Sequence, residues 1–263
     1  WAEQLLLVVS AVHLVRVVFT GSYAPPRRFN YLLGVGLFVL AILLDFTGYM
    51  LRWDQGIQWA LVVGTNLVRS IPLAGEWLYT MVVGGAQPGA ATLIRFYSWH
   101  VYGLVILALI LGIWHAFRVR RSGGIAVPPP GQRRSQERIS RYELVRREVI
   151  AMLFTSAALL LLSIALPAPT GAAMTEVTAP VASARAPWFF LWVQEMLKWG
   201  DPFAWGVLVP LLVLLVLSLI PYVLPLPASR EWGTWFPRSN RLAQVVVSVV
   251  VISFLVLTLL GGR

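Results

Sequence analysis

Residues 95–121 read RFYSWHVYGLVILALILGIWHAFRVRR, and in this run His100 and His115 stand fifteen residues apart with no charged side chain between them. His13 is the third and last histidine of the chain. An imidazole in so apolar a run marks a ligand or a proton carrier, unless a neighbouring carbonyl satisfies it. At 1.5 Å per residue the two lie ~22 Å apart along a helix axis, and fifteen steps of ~100° leave them ~60° from eclipsed. They point broadly to one side at two depths. His13 precedes Thr20 by seven residues and His115 precedes Ser122 by seven, so these two share a depth. A haem iron gripped by His13 and His115 would be six-coordinate, which suits electron transfer rather than oxygen binding; a metal site and a proton relay are the other readings. His100 lacks a mate, expected about fourteen residues before His13 and so just upstream of Trp1.

Two glycines favour the haem. Gly34 and Gly48 lie fourteen apart in the preceding apolar run, ~40° from eclipsed, at depths that match the two histidine levels. A flat macrocycle needs a wall without side chains, which glycine supplies, although small residues also let membrane helices pack closely. The chain has no cysteine, which excludes disulfides, thiolate metal sites and covalent c-type haem attachment.

The elements that carry these residues are membrane helices. A hydrophobic fraction of 58%, a charged fraction of 12% and a mean hydropathy of +0.75 lie outside the range of soluble domains, where about 25% of residues are charged. Runs near the ~20 residues a bilayer requires occur at about 4–20, 32–51, 98–117, 148–166, 203–223 and 243–261. The fold expected is an all-α integral membrane bundle with six spans present. A further apolar stretch, 56–83, is interrupted by Asn66, Arg69, Pro72, Gly75 and Glu76 and reads as helices lying at the interface.

The net charge of +10 does not point to nucleic acid, because the cations sort by loop. Residues 21–30, 118–147 and 225–241 hold fourteen arginines, whereas 51–96 and 167–202 hold five cations. By the positive-inside rule the first set is cytoplasmic and the second faces outside. The chain begins at Trp1 with no signal-peptide pattern. Three segments follow: a histidine-bearing segment at 1–121, a Pro- and Arg-rich cytoplasmic linker at 122–144, and a three-span domain at 145–263. The outer loop 167–185 shows no chemistry of its own.

The residues HLVRVVFTGSYAPPRR (13–28), GYMLRWDQGIQWA (48–60), TNLVRSIPLAG (65–75) and TLIRFYSWH (92–100) resemble cytochrome b of the quinol-oxidising bc and bf complexes. The fifteen-residue histidine spacing is similar to the bf form and its bacterial relatives. The later part, with APWFFLWVQEML at 186–197, resembles the small subunit of bf complexes fused behind the haem domain. The family pattern sets His, Arg and Trp in sequence at the start of the first helix here; Trp1 matches the tryptophan, which by the resemblance places the fourth ligand two residues upstream of it, and the family's first helix, a seventh span, would lie upstream as well.

The resemblance implies two non-covalent b-type haems, with His13 and His115 on the inner iron and His100 on the outer one. Gly34 and Gly48 would pack on haem faces. Arg16 and Arg120 would neutralise propionates or approach an inner quinone site, where a guanidinium can pair both carboxylate oxygens. It implies quinol, with menaquinone plausible, oxidised in an outer pocket that includes Tyr49, Pro187, Trp188 and Phe189. Electrons would pass to a Rieske-type iron–sulfur protein and a c-type cytochrome, and across the membrane to an inner quinone. A homodimeric complex in a bacterial plasma membrane is the expected setting.

The sequence departs from the pattern twice. The usual PEWY reads APWF at 186–189, so Pro187 stands where a glutamate is often assigned as proton acceptor, and Arg52 replaces the proline before WDQ. A base must still take the quinol proton. Glu195 ranks first and Asp54 second, although Glu195 can also pair with Lys198 at i+3. The altered motif keeps open a subunit that relays electrons between quinone and another redox enzyme without bifurcation; a transporter with intramembrane histidines, which predicts no haem, is the reading from another class.

Overall fold

The computed structural model describes residues 1–122, 139–168, 171–174 and 185–263. Most of the linker at 122–144 and part of the loop at 167–185 lie outside the described residues. Six helices are long and apolar enough to cross a membrane: α1 (Ala2–Phe19), α2 (Arg28–Met50), α5 (Ala90–Arg121), α6 (Arg141–Ala165), α8 (Ala204–Val223) and α9 (Arg241–Gly261). The 56–83 stretch forms α3 (Gln58–Arg69) and α4 (Gly75–Val83). At ~18 and ~14 Å both are too short to span. Pro72 separates them, and Gly75 follows because a Cβ there would meet the Arg69 carbonyl oxygen at 2.0 Å.

Local chemistry sets the ends. The Ser140 hydroxyl accepts from Glu143 N–H at 3.1 Å and caps α6. That helix therefore starts at Arg141, inside the stretch read from sequence as linker. At its other end Leu166 precedes Pro167 and leaves the helical region. Leu224, before Pro225, ends α8 in extended conformation.

Hydrogen bonds between loops show the spans alternating. On the arginine-rich face, Phe236 N–H donates to Phe19 O, Gly233 N–H to Thr20 O, and Arg27 Nη2 to Ser122 O. On the opposite face, Gln55 N–H donates to Ala172 O, Met174 N–H to Trp53 O, Trp1 Nε1 to Leu166 O, and Arg185 to the carbonyls of Gly262 and Arg263. Buried Val18, Tyr23, Tyr31, Val35, Leu217, Ile220, Ala243 and Val247 tie α1, α2, α8 and α9 together near the arginine-rich face. In that core Tyr31 Oη donates to Leu217 O, Tyr23 Oη to Asn240 Oδ1, and Asn240 Nδ2 to Val18 O. The segments 1–121 and 145–263 thus share a core.

Candidate functional site

α2 and α5 meet at two levels, and at each a glycine faces a histidine. A Cβ on Gly34 would come 3.3 Å from His115 Cε1, and a Cβ on Gly48 would come 2.7 Å from His100 Cε1. His13 on α1 lies within electrostatic reach of His115. In this structure the glycines lie directly against the imidazole rings.

Hydrogen bonds select the tautomers. His115 Nδ1 is 3.1 Å from the Asn30 carbonyl oxygen, which can only accept, so Nδ1 carries the proton. His100 Nδ1 is 3.0 Å from Thr47 Oγ1. That hydroxyl donates its one proton to Leu43 O at 2.7 Å, so its oxygen accepts from His100 Nδ1–H. In both rings Nε2 is left with a lone pair for a metal, the arrangement by which a second partner orients a metal-binding imidazole.

A π-helical turn, Trp99–Leu104, contains His100. Such a turn takes one residue more than α-helix, so the fifteen residues to His115 act as fourteen α-helical steps, ~40° from eclipsed rather than ~60°. Extra residues of this kind often sit at functional sites. Periodicity in the sequence gives no sign of it.

On the arginine-rich face, Arg16 interacts with His13. Arg120, named from sequence, is exposed. Arg118 turns inward instead: its guanidinium lies 4.9 Å from the Phe29 ring centroid, with Nε buried and without a hydrogen-bond partner among the described residues. It follows His115 by three residues as Arg16 follows His13, a parallel that was available in the sequence. Arg28 Nε, buried beside Tyr222, is likewise unpartnered among the described residues. Unmet guanidinium donors suit the carboxylates of a buried propionate. Among the described residues no three His, Asp or Glu side chains converge on one point. Paired imidazoles, side-chain-free walls and inward cations fit a haem.

The opposite face holds the second candidate. Phe189 is buried, with its ring edge-on to Tyr49 at 6.3 Å, and Phe190 stands edge-on to Phe46 at 5.5 Å. Phe189 packs with Leu7 of α1 and Ala41 of α2. Trp188 Nε1 donates to Gln4 Oε1. Pro187 opens the turn, its carbonyl accepting from Phe190 N–H. The APWF segment therefore sits between α1 and α2, beside Tyr49.

The two carboxylates singled out from sequence are both engaged. Asp54 accepts from Arg52 Nη2 at 2.5 Å, Gly171 N–H at 2.9 Å and Ile57 N–H at 3.2 Å. Burial pushes its carboxyl up, but these hydrogen bonds and the Arg52 charge outweigh that and hold it below the ordinary carboxylate range. Arg52, in place of proline, supplies that counter-charge and lies 5.3 Å from the Tyr49 ring centroid. Gly171 and Ala172, in the outer loop that read as inert, thus clamp the WDQ segment. Glu195, on α7 (Leu191–Leu197), pairs with Lys198 at 2.5 Å.

The family model described as "Cytochrome b(N-terminal)/b6/petB" matches residues 4–176. Cytochrome b6 of Heliomicrobium gestii is 37% identical over 123 residues, 47% of this chain and 58% of that protein. The menaquinol:cytochrome c reductase cytochrome b subunit of Geobacillus thermodenitrificans is 37% identical over 124 residues, 47% of this chain and 55% of its own length. The chain thus spans little more than half the length of these relatives. A solved chain of a hyperthermophilic respiratory Complex III superposes with a TM-score of 0.75 at 22% identity, over 99% of this chain and 69% of that one, a likeness of fold. The family match covers well over half of this chain and includes all three histidines and both glycines, so the protein belongs to the cytochrome b family, whose cofactor is b-type haem.

Proposed function

We propose that this protein is the di-haem cytochrome b subunit of a bc- or bf-like quinol oxidoreductase in a bacterial plasma membrane. One observation carries the reading: two histidine–glycine contacts between α2 and α5, at two depths, each with Nδ1 engaged so that Nε2 keeps its lone pair. Haem iron, when bound, supplies one-electron relay between the two faces. His13 and His115 would hold the inner haem. His100 would hold the outer one. Arg16, Arg118 and Arg28 would neutralise propionates at the inner face, ahead of the exposed Arg120. Quinol, with menaquinone the proposed species, would dock beside Tyr49, Pro187, Trp188 and Phe189. One electron would leave to a Rieske-type iron–sulfur protein and then a c-type cytochrome, and the other would cross to an inner quinone. Glu195 and Asp54 stay proposals as proton acceptor, although either would have to give up an ion pair.

A second reading, electron relay between quinone and another redox enzyme without bifurcation, is favoured by Pro187 alone. Family membership leaves no support for the transporter reading. A redox titration of the purified full-length complex in visible light tests the haem count: two b-type midpoints are expected, and one sinks the di-haem reading. Flash-driven haem reduction that ignores inhibitors of the outer pocket would favour relay over bifurcation.

A further inference from the structure

Arg52 follows the last turn of α2, at the position where the family pattern has proline. A proline there would stiffen the turn by fixing its own φ. An arginine leaves the backbone free and holds the turn through its side chain, in two directions. Nε and Nη2 donate to Asp54 Oδ2 at 3.1 and 2.5 Å, and the guanidinium stands 5.3 Å from the centroid of the Tyr49 ring. Side chains three residues apart meet on a helical turn, which brings Arg52 over Tyr49. A cation within ~6 Å of an aromatic centroid is attracted by the electron-rich face of the ring.

The guanidinium is itself held in place. Asp54 is buried, and besides Arg52 it accepts from the Ile57 and Gly171 N–H groups. Trp53, between Arg52 and Asp54, has a φ of 46°, a left-handed backbone that a bulky residue rarely adopts and that persists only where its surroundings over-determine it. Here Trp53 O accepts from Met174 N–H at 3.0 Å, and Gln55 N–H donates to Ala172 O at 3.0 Å. A line of fixed contacts therefore runs from the outer loop through Asp54 and Arg52 to one face of the Tyr49 ring. Two other contacts of that ring are weaker. Its hydroxyl reaches Gly56 O at 3.4 Å, beyond the usual O–H···O range. Phe189 meets it edge-on with centroids 6.3 Å apart, toward the far end of the range for aromatic pairs, and as the last residue of APWF rather than PEWY it brings no hydroxyl.

We propose that Arg52 is a positioning residue of the outer quinol pocket, fixing the orientation of the Tyr49 ring against which the quinol ring docks. The assignment rests on the proposed quinol oxidation at the outer face. Arg52 touches neither the quinol nor the proton that leaves it. It acts through Tyr49, so its effect falls on how tightly quinol binds rather than on the chemical step, and it is read as a change in KM with kcat retained. The cation over the ring, rather than stiffness of the turn, is what the pocket requires of residue 52.

The test uses the full-length complex as wild type, R52Q, R52P, Y49L and R52Q/Y49L, with a menaquinol analogue as substrate. R52Q should raise KM about three- to tenfold, the range that a cation–π contact supplies, and should weaken inhibitors of the outer pocket alike. Its kcat should stay within about twofold of wild type and its b-haem spectra should be unchanged, which shows that the variant is folded. R52P, which stiffens the turn without a cation, should raise KM as R52Q does. The double variant should be no worse than Y49L alone, because contacting residues that act as one unit are not additive. R52Q with lowered thermal stability and an unaltered KM reduces Arg52 to the counter-ion of Asp54 and overturns the assignment. So does wild-type KM in R52P, which would give the role to turn stiffness, and so do R52Q and Y49L effects that multiply in the double variant. All three outcomes leave quinol oxidation intact, whereas a wild-type complex whose haems are not reduced from the outer pocket overturns the proposed function itself.

Discussion

Gly48 and His100 approach so closely that a single methyl group on residue 48 would stand 2.7 Å from His100 Cε1. The corresponding approach of Gly34 to His115 is 3.3 Å. The difference separates two substitutions that look alike in sequence. G48A must push the imidazole away, and forced overpacking of this kind costs about 1–3 kcal/mol. G34A asks for a shift of a few tenths of an ångström. The expected result is loss or marked weakening of the outer haem in G48A and retention of both haems in G34A, read from the pyridine haemochrome content and redox spectrum of each purified complex.

The hydroxyl of Thr47 holds His100 in the Nδ1-protonated form. T47V keeps the shape and removes the acceptor. Loss of such a partner typically costs 10–100-fold in metal affinity, so T47V should release the outer haem at about tenfold lower apohaem-competitor concentration than wild type. The inner haem proposed to sit on His115, whose ring the Asn30 backbone carbonyl orients, should be unaffected. Equal sensitivity of both haems would count against the assigned tautomer.

Arg118 and Arg120 differ by two residues and by direction. If Arg118 faces a propionate of the inner haem as proposed, R118Q should lower that haem's midpoint, because removing a partly buried cation nearby stabilises the oxidised iron, whereas R120Q at the exposed end should shift it little. A potentiometric titration of each variant decides; the reverse ordering would return the role to Arg120.

Asp54 ties Arg52, Ile57 and Gly171 together, and its folded-state pKa lies below the ordinary value. The sign follows from linkage. The stability it adds is fully present above the unfolded carboxylate pKa of ~3.9 and is lost as pH falls through the lower folded value. D54N should remove this acid dependence and cost about 1–3 kcal/mol at neutral pH, as donors lose a charged acceptor. Thermal unfolding of wild type and D54N between neutral pH and the acid range measures both effects. If quinol oxidation in D54N falls while stability does not, Asp54 is an acceptor rather than a clamp.

Much of the architecture was legible because membrane insertion reads sums over the chain. Apolar runs give the six spans, and arginine counts sort the loops into two faces that the Phe19–Phe236 and Gln55–Ala172 hydrogen bonds then bear out. The two-level placement of His13, His100 and His115 came from rise per residue, a local quantity. Gly34 and Gly48 were found the same way. The π turn at Trp99–Leu104 was not, since one added residue leaves the apolar pattern of the helix intact. The linker boundary shifted to Arg141 because a serine cap is a one-residue signal within a run of polar residues.

The carboxylates show the limit most plainly. In sequence Asp54 and Glu195 are acidic residues near one face, and both draw notice because they sit beside recognisable motifs. What distinguishes them is what reaches them across space: an arginine and two backbone N–H groups for Asp54, a lysine for Glu195. Gly171 lies 117 residues from Asp54. By itself the sequence determined which helices are long and apolar enough to cross and how the cations sort the loops into two faces, because hydrophobic length and charge accumulate along the chain. Only the tertiary structure decided the tautomers, the inward arginine and the partner of each carboxylate, because those depend on the few ångströms between groups that different helices bring to the same depth.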